Sequence, residues 1–115
     1  MYIPLCMGMV ISPDGRFEWD EEKSIYNKEC HGFYFWEILA AFDDPFFLEA
    51  YDRDNSTQDE LRWKGIASFD RRIYFFLSYT ERENRTRIIS ARLAEPLEKE
   101  RYDENYRNQV AGYER

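Results

Sequence analysis

Within the eleven residues from Arg82 to Arg92 stand four arginines, Arg82, Arg85, Arg87 and Arg92, around the apolar pair Ile88 and Ile89, in a chain whose formal charge is -7. Arginine keeps its charge at any working pH and presents a planar fork of donors that fits a phosphate. The cluster therefore reads as an anion site, with Arg87 as ligand and Arg82 beside it. Simple alternation along a strand places Arg87 and Arg92 on opposite faces and puts Ser90 with Arg92. Arg92 is then either a second ligand or a brace between helix and sheet. Arg71, Arg72 and Arg85 read as solvated partners of the many carboxylates.

His31 is the one histidine, and an imidazole is the side chain that changes charge near neutrality without a large perturbation. It is a candidate acid or base, or else a cation favoured at a helix C-terminus. Glu60 and Glu81 are the alternative bases, or solvated hairpin residues. Lys23 and Lys28 flank a helical stretch, where they are either point charges for an anion or local partners of nearby acids. Trp36, Trp63, Tyr74 and Tyr79 offer faces for stacking, although most of the 21 aromatic residues must fill the core.

Other chemistries find no anchor. Two cysteines, Cys6 and Cys30, and one histidine lack zinc spacing. No phosphate-binding glycine loop occurs, and Asp52, Asp54 and Asp59 lack the spacing of a calcium loop. No cofactor or metal is expected. Charge is uneven, with one Lys or Arg against seven Asp or Glu over residues 43–60, and eight against three over 61–94. That balance argues against a general nucleic-acid coat and leaves room for a local phosphate site. Few cysteines and no signal-like or membrane-spanning opening predict a protein of the reducing cytoplasm that contacts no membrane.

One domain is expected from 115 residues. A short strand, RFEWD, ends at Asp20, which caps a helix over EEKSIYNKECH with Gly32 as its C′ residue. In FYFWEILAAFDDP, Phe35, Ile38, Leu39 and Phe42 follow the helical period, which predicts a second helix. FFLEAY predicts a strand and DRDNSTQD a loop. Three further strands, LRWKGIASF, RIYFFLSYT and TRIISAR, are joined by short turns at Asp70–Arg71 and 81–85 that predict consecutive antiparallel hairpins. Arg62 and Lys64 share one face of the first of these. A C-terminal helix over LEKERYDENYRNQV is expected to touch the sheet through Leu97, Arg101 and Tyr102. The order β-α-α-β-β-β-β-α defines an α+β fold, a small antiparallel sheet with two N-terminal helices and one C-terminal helix. Residues 1–16 read as an N-terminal extension, 17–108 as the domain and 109–115 as a tail.

FEWDEEKSIYN followed by HG, then FDDP, ELRWKG, RIISARLA and EKERY, resembles in order and spacing the BrnT toxins of bacterial type II toxin-antitoxin pairs. Three features depart from the pattern: Cys30 stands where the family usually has a lysine, the chain is more acidic than is usual, and the sixteen residues before Phe17 lie outside the usual family boundary. The resemblance implies a RelE-like fold, metal-independent endoribonuclease activity, and neutralisation by a ribbon-helix-helix antitoxin (BrnA-like) through which alone the toxin contacts DNA. Such cleavage uses the 2′-hydroxyl as nucleophile and needs a base, an acid and fixed positive charge for the phosphorane. On that reading His31, Arg82, Arg87, Arg92, Glu60 and Glu81 are the catalytic candidates, and Lys23, Lys28, Arg62, Lys64 and Ser90 hold the RNA. The alternative is a protein-binding module that keeps antitoxin binding and operon co-repression while cleaving weakly or not at all.

Overall fold

The computed structural model describes residues 8–113. Nine elements follow one another: β1 (Met9–Ile11), β2 (Phe17–Asp20), α1 (Glu21–His31), a 3₁₀ helix (Phe35–Asp43), β3 (Leu48–Tyr51), β4 (Arg62–Phe69), β5 (Ile73–Arg82), β6 (Arg85–Leu93) and α2 (Pro96–Tyr113). The six strands form one sheet in the order β1-β2-β6-β5-β4-β3. This is a mixed α+β fold. The expectation of an antiparallel sheet is corrected at one junction, since β2 pairs with β6 in parallel, Phe17 against Thr86 and Glu18 against Arg87. A parallel pair needs a long connection, and here the connection from β2 to β6 contains α1, the 3₁₀ helix and β3 to β5. Cys6 and the first seven residues of the expected extension lie outside the described residues, as do the last two of the expected tail. The rest of the extension contributes β1, an antiparallel edge against β2.

The start and stop of α1 follow the sequence signals. The Asp20 carboxylate accepts from the Glu22 N–H, and Gly32 ends the helix at φ 91°, with its N–H donating to the Lys28 carbonyl. A left-handed residue at that place costs glycine little. The second predicted helix differs in period. Phe35, Ile38 and Ala41 are each fully buried, a spacing of three that the tighter 3₁₀ winding, not the α-helix, places on one line. Leu39 and Phe42 flank that line and are only partly buried.

Alternation divides the sheet into two faces. Phe17, Trp19, Ala67, Phe75, Leu77, Tyr79, Ile88 and Ala91 point to the first and make the core with the 3₁₀ helix. Both hairpins close through two left-handed residues, Asp70 and Arg71 (φ 53° and 57°) and Glu83 and Asn84 (φ 50° and 68°). Such turns match the twist of the flanking strands and fix their register. The register therefore sets Arg82 directly opposite Arg85. A β-bulge interrupts the pairing, Ser78 facing Ser90 while Tyr79 faces Ile88. The extra residue, Ile89, lets Ile88 and Ala91, three apart, both reach the core, and it overturns the expected separation of Arg87 from Arg92. Both now lie on the second face with Ser90.

α2 covers part of that second face. Tyr102, 1% exposed, donates to Asp44 Oδ2 at 2.6 Å and receives the Ser68 hydroxyl at 3.0 Å. Leu97 does not touch the sheet as expected; it is 71% exposed. The chain's Lys, Glu and Arg positions keep α2 polar on its outer side, so Tyr102, not an apolar stripe, anchors it.

Candidate functional site

Cross-strand register arranges the second face in rows. Arg82 faces Arg85; Arg62, Thr80 and Arg87 form the next row; Lys64, Ser78 and Ser90 the third; Ile66, Phe76 and Arg92 the fourth. The fourth row lies at α2, where Arg92 is pinned by both Glu98 oxygens at 2.9 Å and stacks 4.2 Å from the Phe76 ring centroid. Arg92 thus braces α2 to the sheet. The hydrogen bonds Arg92 donates to Glu98 raise its pKa, and the same contact acts on the carboxyl. Burial alone lifts Glu98, but the bonds from Arg92 and the Glu95 N–H outweigh it and hold the carboxyl below its usual range.

The first three rows lie beyond α2, with Thr80 buried among them, its hydroxyl donating to the Leu61 carbonyl. Their cations are only partly committed. Arg87 gives Glu18 a bond at 2.7 Å, and Arg85 reaches the same carboxylate at 3.9 Å and the Gly15 carbonyl at 3.2 Å. Glu18 is 8% exposed, so it is a buried anchor that ties two arginines of β6 to β2. Arg62 meets Glu60 at 2.8 Å. Arg82 and Lys64 have no ion pair or hydrogen bond from their side chains among the described residues. Like charges placed opposite one another destabilise an antiparallel pair, so the Arg82–Arg85 pairing is a local cost that a bound anion would relieve.

At the outer end of these rows a cleft of about 470 Å³ is lined by Asp59, Glu60, Leu61, Trp63, Thr80, Glu81 and Arg82. It unites three predicted residues, Glu60, Glu81 and Arg82. Among the described residues Glu81 accepts only the Thr86 hydroxyl, at 2.9 Å, whereas Glu60 is taken up by Arg62. Trp63 stands edge-on to Tyr51, ring centroids 5.4 Å apart, and turns toward the cleft.

The remaining candidates lie elsewhere. α1 runs along β6, where Asn27 pairs bidentately with the N–H and carbonyl of Ala91 (3.1 and 2.9 Å) and fills the place of a missing strand. His31, one turn further on, therefore lies beyond Ala91, in the layer that holds the 3₁₀ helix, away from Arg82 and Arg87. Lys28 donates to the Gly32 carbonyl at 3.2 Å and sits over the Tyr34 ring, a cap for its own helix. Lys23 is exposed on α1, outside the rows. Of the proposed stacking faces, Tyr79 is buried and bonded to Glu49, Tyr74 is bonded to Asp103 under α2, and Trp36 is exposed beside Tyr34. Sequence reading named Ser90 but missed Glu18 and Ser78; the bulge that sets Ser78 opposite Ser90 has no signal in composition.

The family model described as "Ribonuclease toxin, BrnT, of type II toxin-antitoxin system" matches residues 19–98. A crystal structure of the Brucella abortus ribonuclease toxin BrnT is similar at 22% sequence identity, over 67% of this chain and 92% of that chain, with a TM-score of 0.45. No curated protein matches the chain.

Proposed function

The chain belongs to the BrnT family of type II toxin-antitoxin ribonuclease toxins, and from that premise we propose that it cleaves RNA without a metal, in the cleft between Glu81 and Arg82. Glu81 accepts the proton of the 2′-hydroxyl as that oxygen bonds to phosphorus; the P–O5′ bond breaks, leaving a 2′,3′-cyclic phosphate, and the departing 5′-oxygen takes its proton from water. Arg82, with Arg85 across the turn, donates to the non-bridging oxygens as negative charge grows on the phosphorane. Ser78 and Ser90 form the floor of the strip along which the RNA backbone runs, between Arg62 and Lys64 on β4 and Arg87 on β6. Arg87 acts with Glu18 as part of that wall and not as the direct catalytic ligand. The observation that carries this reading is the uncommitted Arg82, held opposite a second arginine by the Glu83–Asn84 turn, at the mouth of a cleft also lined by Glu81, a carboxylate with no ion pair among the described residues.

Family membership supports an antitoxin partner; that it is a ribbon-helix-helix protein, that DNA is met only through it, that the fold is RelE-like and that the setting is cytoplasmic are proposals from the resemblance. The binding-module alternative needs the basic strip neutralised by the acidic segment 43–60. Only Arg62 of the strip pairs with that segment, which favours the enzyme. The test is incubation of the purified protein with RNA in excess chelator. Cleavage that survives the chelator and falls about 10²- to 10³-fold in Arg82→Ala is expected; cleavage by Arg82→Ala equal to the parent would overturn the site, and intact RNA with the parent protein would overturn the activity.

A further inference from the structure

At the other end of the strip, where the third and fourth rows meet α2, the sheet and helix enclose a cleft of about 320 Å³ whose walls include Leu48, Ala50, Lys64, Ile66, Phe76 and Arg101. Its polar groups differ in how they are bound. Glu98 is held by Arg92 and the Glu95 N–H, and Glu49 accepts the Tyr79 hydroxyl. Both carboxylates on the wall are thereby occupied by intramolecular donors. Lys64 and Arg101 have no hydrogen bond or ion pair of their own among the described residues. The cleft presents two free cations around an apolar pocket, at the lower bound of volume that small organic ligands occupy.

We propose that this cleft is a second substrate subsite, which takes one nucleotide of the RNA upstream or downstream of the cut, its base against Leu48, Ile66 and Phe76 and its phosphate between Lys64 and Arg101. The inference rests on the reading of the strip as the RNA path. Three observations select a nucleotide of the same strand as the occupant. Lys64 belongs to both the strip and the cleft, so the two are continuous. The two free cations complement a phosphate, while the apolar wall suits a base face, a combination that neither a peptide carboxylate nor a lipid tail would use fully. Spacing also fits: Lys64 faces Ser78, four residues along β5 from Arg82, roughly 13 Å at strand rise, which about two to four nucleotides bridge.

Length dependence follows. A dinucleotide reaches only the first cleft, and an octanucleotide reaches both. Cleavage kinetics of a dinucleotide and an octaribonucleotide, measured on the full chain, give the test. The parent protein is expected to show a KM at least tenfold lower for the octamer. Arg101→Ala should raise the octamer KM toward that of the dinucleotide and leave the dinucleotide kinetics unchanged, and Lys64→Ala combined with it should raise the octamer KM further and reduce the salt slope of octamer binding by about 0.7, for one phosphate no longer neutralised on a single strand. Ala50→Trp, which fills the cleft from exposed β3, should raise the octamer KM by a similar factor. Arg101→Glu, a change at an exposed helix position, repeats the test should the double variant misfold. Equal effects on both lengths, or none on either, would overturn the subsite while leaving the cleavage reading intact. Absence of cleavage in the parent at both lengths would instead sink the reading on which the subsite rests.

Discussion

The two halves of the second sheet face are built from the same strands by the same alternation, yet their polar groups have opposite fates. Where α2 packs on the sheet they are spent: Arg92 on Glu98, Tyr74 on Asp103, Tyr102 on Asp44 and Ser68. Outside α2, Arg82 opposes another arginine, Lys64 stands alone, and Ser78 and Ser90 face outward. The covered half gains stability from charge because burial strengthens each hydrogen bond and forbids an orphan. The open half keeps like charges close at a small local cost. Strain of that kind at an uncovered place is where a ligand, not the fold, supplies the counter-charge. Substitutions in the two halves should therefore fail in opposite ways.

The largest effect is expected from Glu81→Gln, which removes the proposed base and should slow RNA cleavage by about 10²- to 10⁴-fold while RNA affinity, read by filter binding, is retained. Arg82→Ala should cost about 10²- to 10³-fold in turnover. The same change relieves the pairing with Arg85, so its melting temperature should stay level or rise, by the equivalent of about 0.2–1 kcal/mol. An Arg82→Ala protein that is less stable would contradict the assignment of that residue to a ligand.

In the covered half the sign reverses. Arg92→Ala leaves the Glu98 carboxylate without its partner and should destabilise by about 1.5–3 kcal/mol in denaturant titration, with cleavage per folded molecule nearly unchanged. Its pH signature follows from the lowered Glu98 carboxyl: that stability is present above the ordinary value of 4.5, is lost as pH falls through the lower folded value, and should be missing from Arg92→Ala. Tyr102 titrates the other way. Burial first, then the bond to Asp44, raises its phenol above 10.0, so its contribution is complete below pH 10.0 and is lost as pH rises beyond it. Tyr102→Phe should flatten the alkaline limb of the stability profile.

The smallest effect belongs to the layer behind the sheet. His31→Gln should change cleavage less than about threefold, since His31 lies beyond Ala91 and away from the cleft. A loss as large as that of Glu81→Gln would move the reaction centre to α1 and break the contrast between the two halves of the sheet.

Local chemistry made much of this legible in advance. Asp20 and Gly32 bound α1 because capping depends on side-chain reach and left-handed backbone, both properties of single residues. The tight turns implied the hairpins, and the alternation of LRWKGIASF put Arg62 and Lys64 together. The arginine cluster, the three acid and cation candidates of the first cleft, and the family were all contained in the order of residues. Tertiary structure alone decided which charges are free. The bulge at Ile89 brought Arg87 and Arg92 to one face, α2 took Arg92 from the site, Glu18 held Arg87 and Arg85 from a strand nearly seventy residues away, and the three-residue period of Phe35, Ile38 and Ala41 replaced the expected α-helix. Each of these rests on contacts between distant segments, and an ion pair or a bulge has no energy until both partners are placed. Sequence can count the charges of a chain, but only packing assigns each one to a carboxylate or leaves it for a phosphate.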